Sequence, residues 1–143
     1  MPEVNRLVLV SHTPEQMFAL VDAVERYPEF LPWCGGASVS FRDETRTHAT
    51  INVRYRGVKQ SFTTENTKRA PSEMAMHLVE GPFRKLDGEW RFTALGEHGC
   101  KVEFRLHYEF SSRLLATVLG PVFDFIANSL VEAFVKRAEK LYG

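Results

Sequence analysis

The chain has 143 residues and a mass of 16.4 kDa, the size of one domain (residues 1–143) with no room for a second core. Hydrophobic residues make up 44% and charged residues 25%, a globular balance that excludes disorder and needs neither disulfide nor metal to fold. Eighteen Lys and Arg offset eighteen Asp and Glu, so no global field recruits DNA or an anionic membrane, and contact with either needs a local patch.

Val4 to Val10 reads as a short strand of mixed polarity. The leading residues Met1 to Arg6 lack the pattern of a signal or transit peptide. No apolar stretch is expected to approach the roughly 20 residues of a membrane-spanning helix, which points to a soluble cytoplasmic protein. Thr13-Pro14-Glu15-Gln16 is a helix start, with Thr13 as cap, Pro14 in the first turn and Gln16 completing a capping box. Met17, Phe18, Leu20, Val21 and Val24 then predict an amphipathic helix of about three turns. Arg26 to Pro32 is too rich in proline for more than one helical turn, and Gly35-Gly36 is expected to end it.

From Ala37 the pattern has period two. Ala37, Val39 and Phe41 alternate with polar residues, as do Ala49, Ile51, Val53 and Tyr55. Arg56-Gly57 predicts a tight turn, followed by Val58, Gln60, Phe62 and Thr64 on one face. Met74, Met76 and Leu78 follow the turn at Ala70-Pro71-Ser72. Leu86, Gly88, Trp90 and Phe92 follow Gly81-Pro82, and Val102, Phe104, Leu106, Tyr108 and Phe110 follow Glu97-His98-Gly99. This is an antiparallel meander with one apolar and one wet face. The last thirty residues are helical, with a kink or break expected at Gly120-Pro121. Phe123, Ile126, Ala127, Leu130, Phe134, Ala138 and Leu141 then form one stripe. Sheet face and helix stripe must cover each other, which predicts an α+β architecture with a curved sheet around the long C-terminal helix.

Four blocks carry a family resemblance. They are Tyr27-Pro28-Glu29-Phe30-Leu31-Pro32-Trp33-Cys34, Glu80-Gly81-Pro82-Phe83-Arg84-Lys85-Leu86, Gly88-Glu89-Trp90-Arg91-Phe92 and Ala133-Phe134-Val135-Lys136-Arg137-Ala138. Together they resemble the START-like, helix-grip family of coenzyme Q-binding proteins and bacterial RatA-type ribosome association toxins, from about Val4 to Tyr142. The absence of a mitochondrial leader is closer to the bacterial branch. The resemblance implies two activities. One is holding ubiquinone or a similar polyisoprenoid in a cavity, in support of respiration. The other is binding the large ribosomal subunit and blocking subunit association.

Catalysis finds little material. His12, His48, His77, His98 and His107 are not clustered at metal-ligand spacing, and no GxSxG, CxxC, HExxH or phosphate loop occurs. A cyclase or dehydratase of aromatic polyketides shares the general fold but would need an acid–base pair. Cys34 and Cys100 read as buried, reduced thiols. No covalent cofactor and no metal is expected; the leading expectation is a non-enzymatic lipid-binding protein that sequesters a ubiquinone-like lipid, with the ribosomal activity as the alternative.

The expected cavity wall comprises Tyr55, Gln60, Phe62, Met76, Trp90, Phe104, Leu106, Tyr108, Phe123, Ile126, Ala127 and Leu130. These side chains either fill a solid core or leave a pocket. Small Gly88 and Ala127, flexible Met74 and Met76, and the inward polar Gln60 and Thr64 favour the pocket. Phe30, Leu31, Trp33 and Phe83 either pack the first helices onto the sheet or form an entrance lip that touches a membrane. Large apolar residues are more often buried, which favours packing. Arg54, Arg56 and Lys59 project from one hairpin tip, Arg84 and Lys85 form a second basic pair, and Lys136, Arg137 and Lys140 lie on the last helix. Such a patch can grip ribosomal phosphates or anionic head groups, or stand merely solvated. The expected partners are therefore a polyisoprenoid quinone or other lipid, a membrane surface in transient contact at the inner membrane, or the large ribosomal subunit. No DNA partner is expected.

Overall fold

The computed structural model describes residues 3–143. In chain order it contains β1 (Glu3–Val10), α1 (Pro14–Asp22), a 3₁₀ turn (Val24–Glu29), β2 (Cys34–Arg42), β3 (Arg46–Tyr55), β4 (Val58–Arg69), β5 (Glu73–Glu80), β6 (Phe83–Leu95), β7 (Gly99–Phe110) and α2 (Arg113–Tyr142). The seven strands form one antiparallel sheet in the order β1-β7-β6-β5-β4-β3-β2. Its apolar face wraps α2, the expected helix-grip α+β architecture. Each surface removes the other from water.

The capping box forms as the sequence dictates. Thr13 Oγ1 accepts from the Gln16 amide at 3.1 Å, and Gln16 Oε1 accepts from the Thr13 amide at 2.9 Å. Helix α1 stops at Asp22, shorter than expected, and Val24 begins the 3₁₀ turn instead. Tyr27 ties that turn back by donating its hydroxyl to Val21 O at 2.5 Å. Outside it, Arg42 grips Glu25 through two nitrogens at 2.6 and 2.8 Å. These hydrogen bonds hold the Glu25 carboxyl down at about 2.

Gly35 and Gly36 do not terminate the turn; they lie inside β2. The register slips between Cys34 and Gly36, and again between Val39 and Phe41. Each bulge inserts a residue and reverses which face the following side chains take. Phe41 consequently leaves the inner face. It pairs with outward His48, packs edge-on to its ring at 5.9 Å and lies under the Arg46 guanidinium. Arg56 (φ 48°) and Gly57 (φ 83°) both have positive φ, which gives the two-residue turn whose twist suits a β-hairpin.

Helix α2 runs for 30 residues through Gly120 and Pro121, so of the expected kink or break the break does not occur. Pro121 forfeits one backbone bond. The flanking Leu119, Val122 and Phe123 are all buried, and such tertiary packing outweighs local propensity. Ser112 caps the helix, accepting from the Leu115 amide at 3.1 Å. An 18-residue window of α2 reaches a mean hydropathy of 1.7, so by length and composition it is long and apolar enough to cross a membrane. The expectation that no stretch approaches this is corrected. Much of that hydropathy belongs to the stripe gripped by the sheet, including Phe123, Ile126, Ala127, Val131 and Phe134.

An apolar cavity and a basic hairpin

Between the sheet and α2 lies a cavity of about 100 Å³. Period-two alternation on β3 to β7 aims Ala49, Ile51, Phe62, Met76, Leu86, Trp90, Phe104, Leu106 and Tyr108 into it. Helix α2 supplies Phe123, Ile126, Ala127, Leu130 and Phe134, and the 3₁₀ region supplies Val24, Tyr27 and Trp33. Ten of the twelve expected wall residues thus meet there. Tyr55 and Gln60 do not line it. Tyr55 sits at the hairpin end, its ring parallel to Phe125 at 5.3 Å. Gln60, on the other strand of that hairpin, lines a separate groove beside it.

The polar part of the wall is Thr64 and Asn66, both buried, with Thr64 Oγ1 donating to Asn66 Oδ1 at 2.9 Å. Asn66 was legible: extending the β4 alternation two residues past Thr64 reaches it. Tyr108 donates its hydroxyl to Asp124 on α2. Burial, first, and the adjacent carboxylate push its pKa well above the ordinary tyrosine range. Gly88 does not open the space as expected. A Cβ there would fall 2.8 Å from Met76 Cε and 3.0 Å from Leu106 Cδ1, so these two side chains already occupy the vacancy. Sites for drug-sized ligands usually span roughly 300–1,000 Å³, and a water takes about 30 Å³. The room here suits a few waters or one small ring, with α2 seated as it is.

The expected entrance residues pack inward. Leu31 and Phe83 are buried. Phe83 stacks with Phe110 at 5.1 Å and meets Phe123 edge-on at 5.1 Å. Phe30 packs on Phe134 at 5.2 Å beneath the Arg137 guanidinium, and Trp33 is cavity wall. These side chains staple the 3₁₀ segment and α2 to the sheet, so the apolar lip is replaced by core packing. Cys34 and Cys100 are buried free thiols, and burial pushes the pKa of both up. His12 is buried beside Tyr142, and His48 pairs with Glu65 at 2.6 Å on the outer face.

The basic groups divide sharply. Arg84 pairs with Glu109 at 2.9 Å and Lys85 with Asp87 at 3.9 Å. Arg137 pairs with Glu29 at 2.6 Å and Lys136 with Glu132 at 3.4 Å. The second basic pair and much of the helix patch are therefore neutralised by neighbouring acids. Arg54, Arg56 and Lys59 make no ion pair among the described residues. The Arg56 guanidinium lies 5.3 Å over the Tyr55 ring, so Arg56, Tyr55 and Phe125 stack at the tip. Three cations without an ion pair thus share one hairpin, while Arg6, Arg46, Arg113 and Lys140, also unpaired among the described residues, are scattered over β1, the start of β3 and α2.

Known proteins resemble this chain along its length. The family described as polyketide cyclase/dehydrase and lipid transport matches residues 10–135. A protein of Vibrio cholerae serotype O1 named ribosome association toxin RatA is 45% identical over 143 residues, covering 100% of this chain and 99% of that protein. The solution structure of an 18 kDa protein from Caulobacter crescentus superposes with a TM-score of 0.76 at 30% identity, covering 100% and 99% of the two chains. A mitochondrial coenzyme Q-binding protein, COQ10 homolog B of Xenopus laevis, is 29% identical over 134 residues, covering 90% of this chain and 54% of that protein.

Proposed function

The chain belongs to the polyketide cyclase/dehydrase and lipid transport family, and on that premise we propose that it acts without catalysis as a ribosome association toxin. It would work in the cytoplasm, binding the large ribosomal subunit and blocking its union with the small one. The observation that carries this reading is the end-to-end match to a RatA-named protein at 45% identity. The geometry supports it: Arg54, Arg56 and Lys59, exposed cations without an acidic partner among the described residues, sit together on the β3–β4 hairpin, where phosphates can replace solvent. The test is sedimentation of the purified protein with large subunits. Wild type should travel with them and reduce the yield of joined ribosomes. Arg54→Glu with Arg56→Glu should remove co-sedimentation while the far-ultraviolet spectrum stays unchanged; sedimentation that survives this reversal rejects the hairpin as the contact.

A second reading rests on the apolar cavity wall. Phe62, Met76, Trp90, Phe104 and Ile126 offer little but hydrocarbon and aromatic surface, suited to a polyisoprenoid quinone at the inner membrane. At about 100 Å³ the space cannot enclose such a chain until α2 moves outward from the sheet.

A further inference from the structure

The two glycines inside β2 have a geometric purpose. A Cβ on Gly35 would fall 3.0 Å from Arg54 Cβ and 3.7 Å from its Nε; one on Gly36 would fall 3.1 Å from Asn52 Nδ2. The bare backbone of β2 therefore lets the Arg54 and Asn52 side chains lie across it. Arg54 is pinned there, since its amide donates to Trp33 O at 2.9 Å just before the bulge. Across the β3–β4 ladder, Arg54 stands directly opposite Lys59. Like charges in that position repel, and neither finds an acid. Ser61 donates its hydroxyl to Asn52 Oδ1 at 2.6 Å, which uses the amide oxygen and leaves the Asn52 NH₂ free to donate. Gly35, Asn52, Arg54, Lys59, Gln60 and Ser61 surround a groove of about 330 Å³ with no carboxylate in its lining.

We propose that this groove at the β2–β3–β4 corner is a cradle for a phosphodiester of an RNA strand, held between Arg54 and Lys59 with Asn52 as a neutral donor. The assignment rests on the ribosomal reading and deepens it by naming the contact. A guanidinium and an ammonium in repulsion, with the Asn52 amide beside them, form a site that an anion relieves. The flanking outward side chains of β3 and β4 are His48, Thr50, Thr63 and Glu65. None is apolar. The exposed aromatics nearby, Phe41 and Phe125, are covered by the Arg46 guanidinium and the Tyr55 ring, so the groove itself presents no free apolar wedge of the kind a bilayer contact uses. One turn outward, Arg56 extends the row of charge toward a second phosphate.

Binding is measured against a salt series for two probes, purified large subunits and a short fluorescein-labelled RNA hairpin. Vesicles of phosphatidylglycerol with phosphatidylcholine form a third arm. Arg54→Gln with Lys59→Gln should weaken both RNA-containing probes at least tenfold and flatten the log–log salt slope by about 0.7–0.9 for each phosphate no longer neutralised. Gly36→Ala should weaken them at unchanged charge by displacing the Asn52 amide, and Arg84→Gln with Lys85→Gln should change neither. If wild type binds subunits and the Arg54/Lys59 variant binds equally well with the same slope, the cradle is wrong and the ribosomal reading stands. If wild type ignores subunits but binds the RNA hairpin through Arg54 and Lys59, the cradle stands and the ribosomal reading falls. Vesicle binding that depends on the same two residues, without RNA binding, overturns the RNA assignment.

Discussion

Lys59 and Arg54 show what a single position trades. Two cations face each other across a ladder where an opposite charge would stabilise and a like charge costs free energy. Lys59→Gln should therefore raise the unfolding free energy by roughly 0.2–1 kcal/mol, read from the urea midpoint at unchanged slope. A lower midpoint would mean that the lysine stem packs on the sheet more than its charge repels. The cations themselves were visible in the sequence, but their freedom was not. Arg84 and Lys85 look equally basic until the β6–β7 pairing brings Glu109 beside Arg84, while Asp87, two residues along β6, serves Lys85. Neutralisation across strands depends on register, which a linear pattern does not supply.

Secondary-structure elements were legible where one local rule governs them. The box at Thr13 and Gln16 forms as written, and Thr13→Ala should cost about 1 kcal/mol, measured as a drop in thermal midpoint; no drop would show that Pro14 alone sets the start. The strands followed from alternation, because a sheet with one buried face must alternate. Failures occurred where long-range packing overrides a local signal. Pro121 should break a helix, but the buried residues on either side keep α2 whole. Gly35-Gly36 should end a turn, but β2 uses the missing side chains to seat Arg54 and Asn52. Phe41 should face the core, but a bulge one step earlier turns it outward. Ten of the twelve expected wall positions line the cavity because the same alternation that makes the strands, and the apolar stripe of α2, aim them inward. Tyr55 and Gln60 shared the inward parity, but lie toward the hairpin end, beyond the cavity.

At the scale of the whole molecule, the grip of sheet on helix decides what the interior can hold. The aromatic cluster of Phe83, Phe110, Phe123, Trp90 and Phe134 spans both layers, and such pairs add about 0.5–1.5 kcal/mol each beyond simple burial. Lifting α2 to admit a polyisoprenoid would give up several of them. Native mass spectrometry of protein prepared gently from its own cells should accordingly show the bare chain. A stoichiometric quinone-sized adduct would reverse this expectation and favour lipid carriage.

The first strand lies at one edge of the sheet and is zipped to the last, β7, although roughly a hundred residues separate them. The helix that fills the bowl comes later still. During synthesis the sheet cannot close on its filling until α2 has been made, and pairings this distant in sequence form slowly. An emerging polypeptide therefore lacks its finished shape until α2 is out, and the apolar face of its sheet stays uncovered for as long.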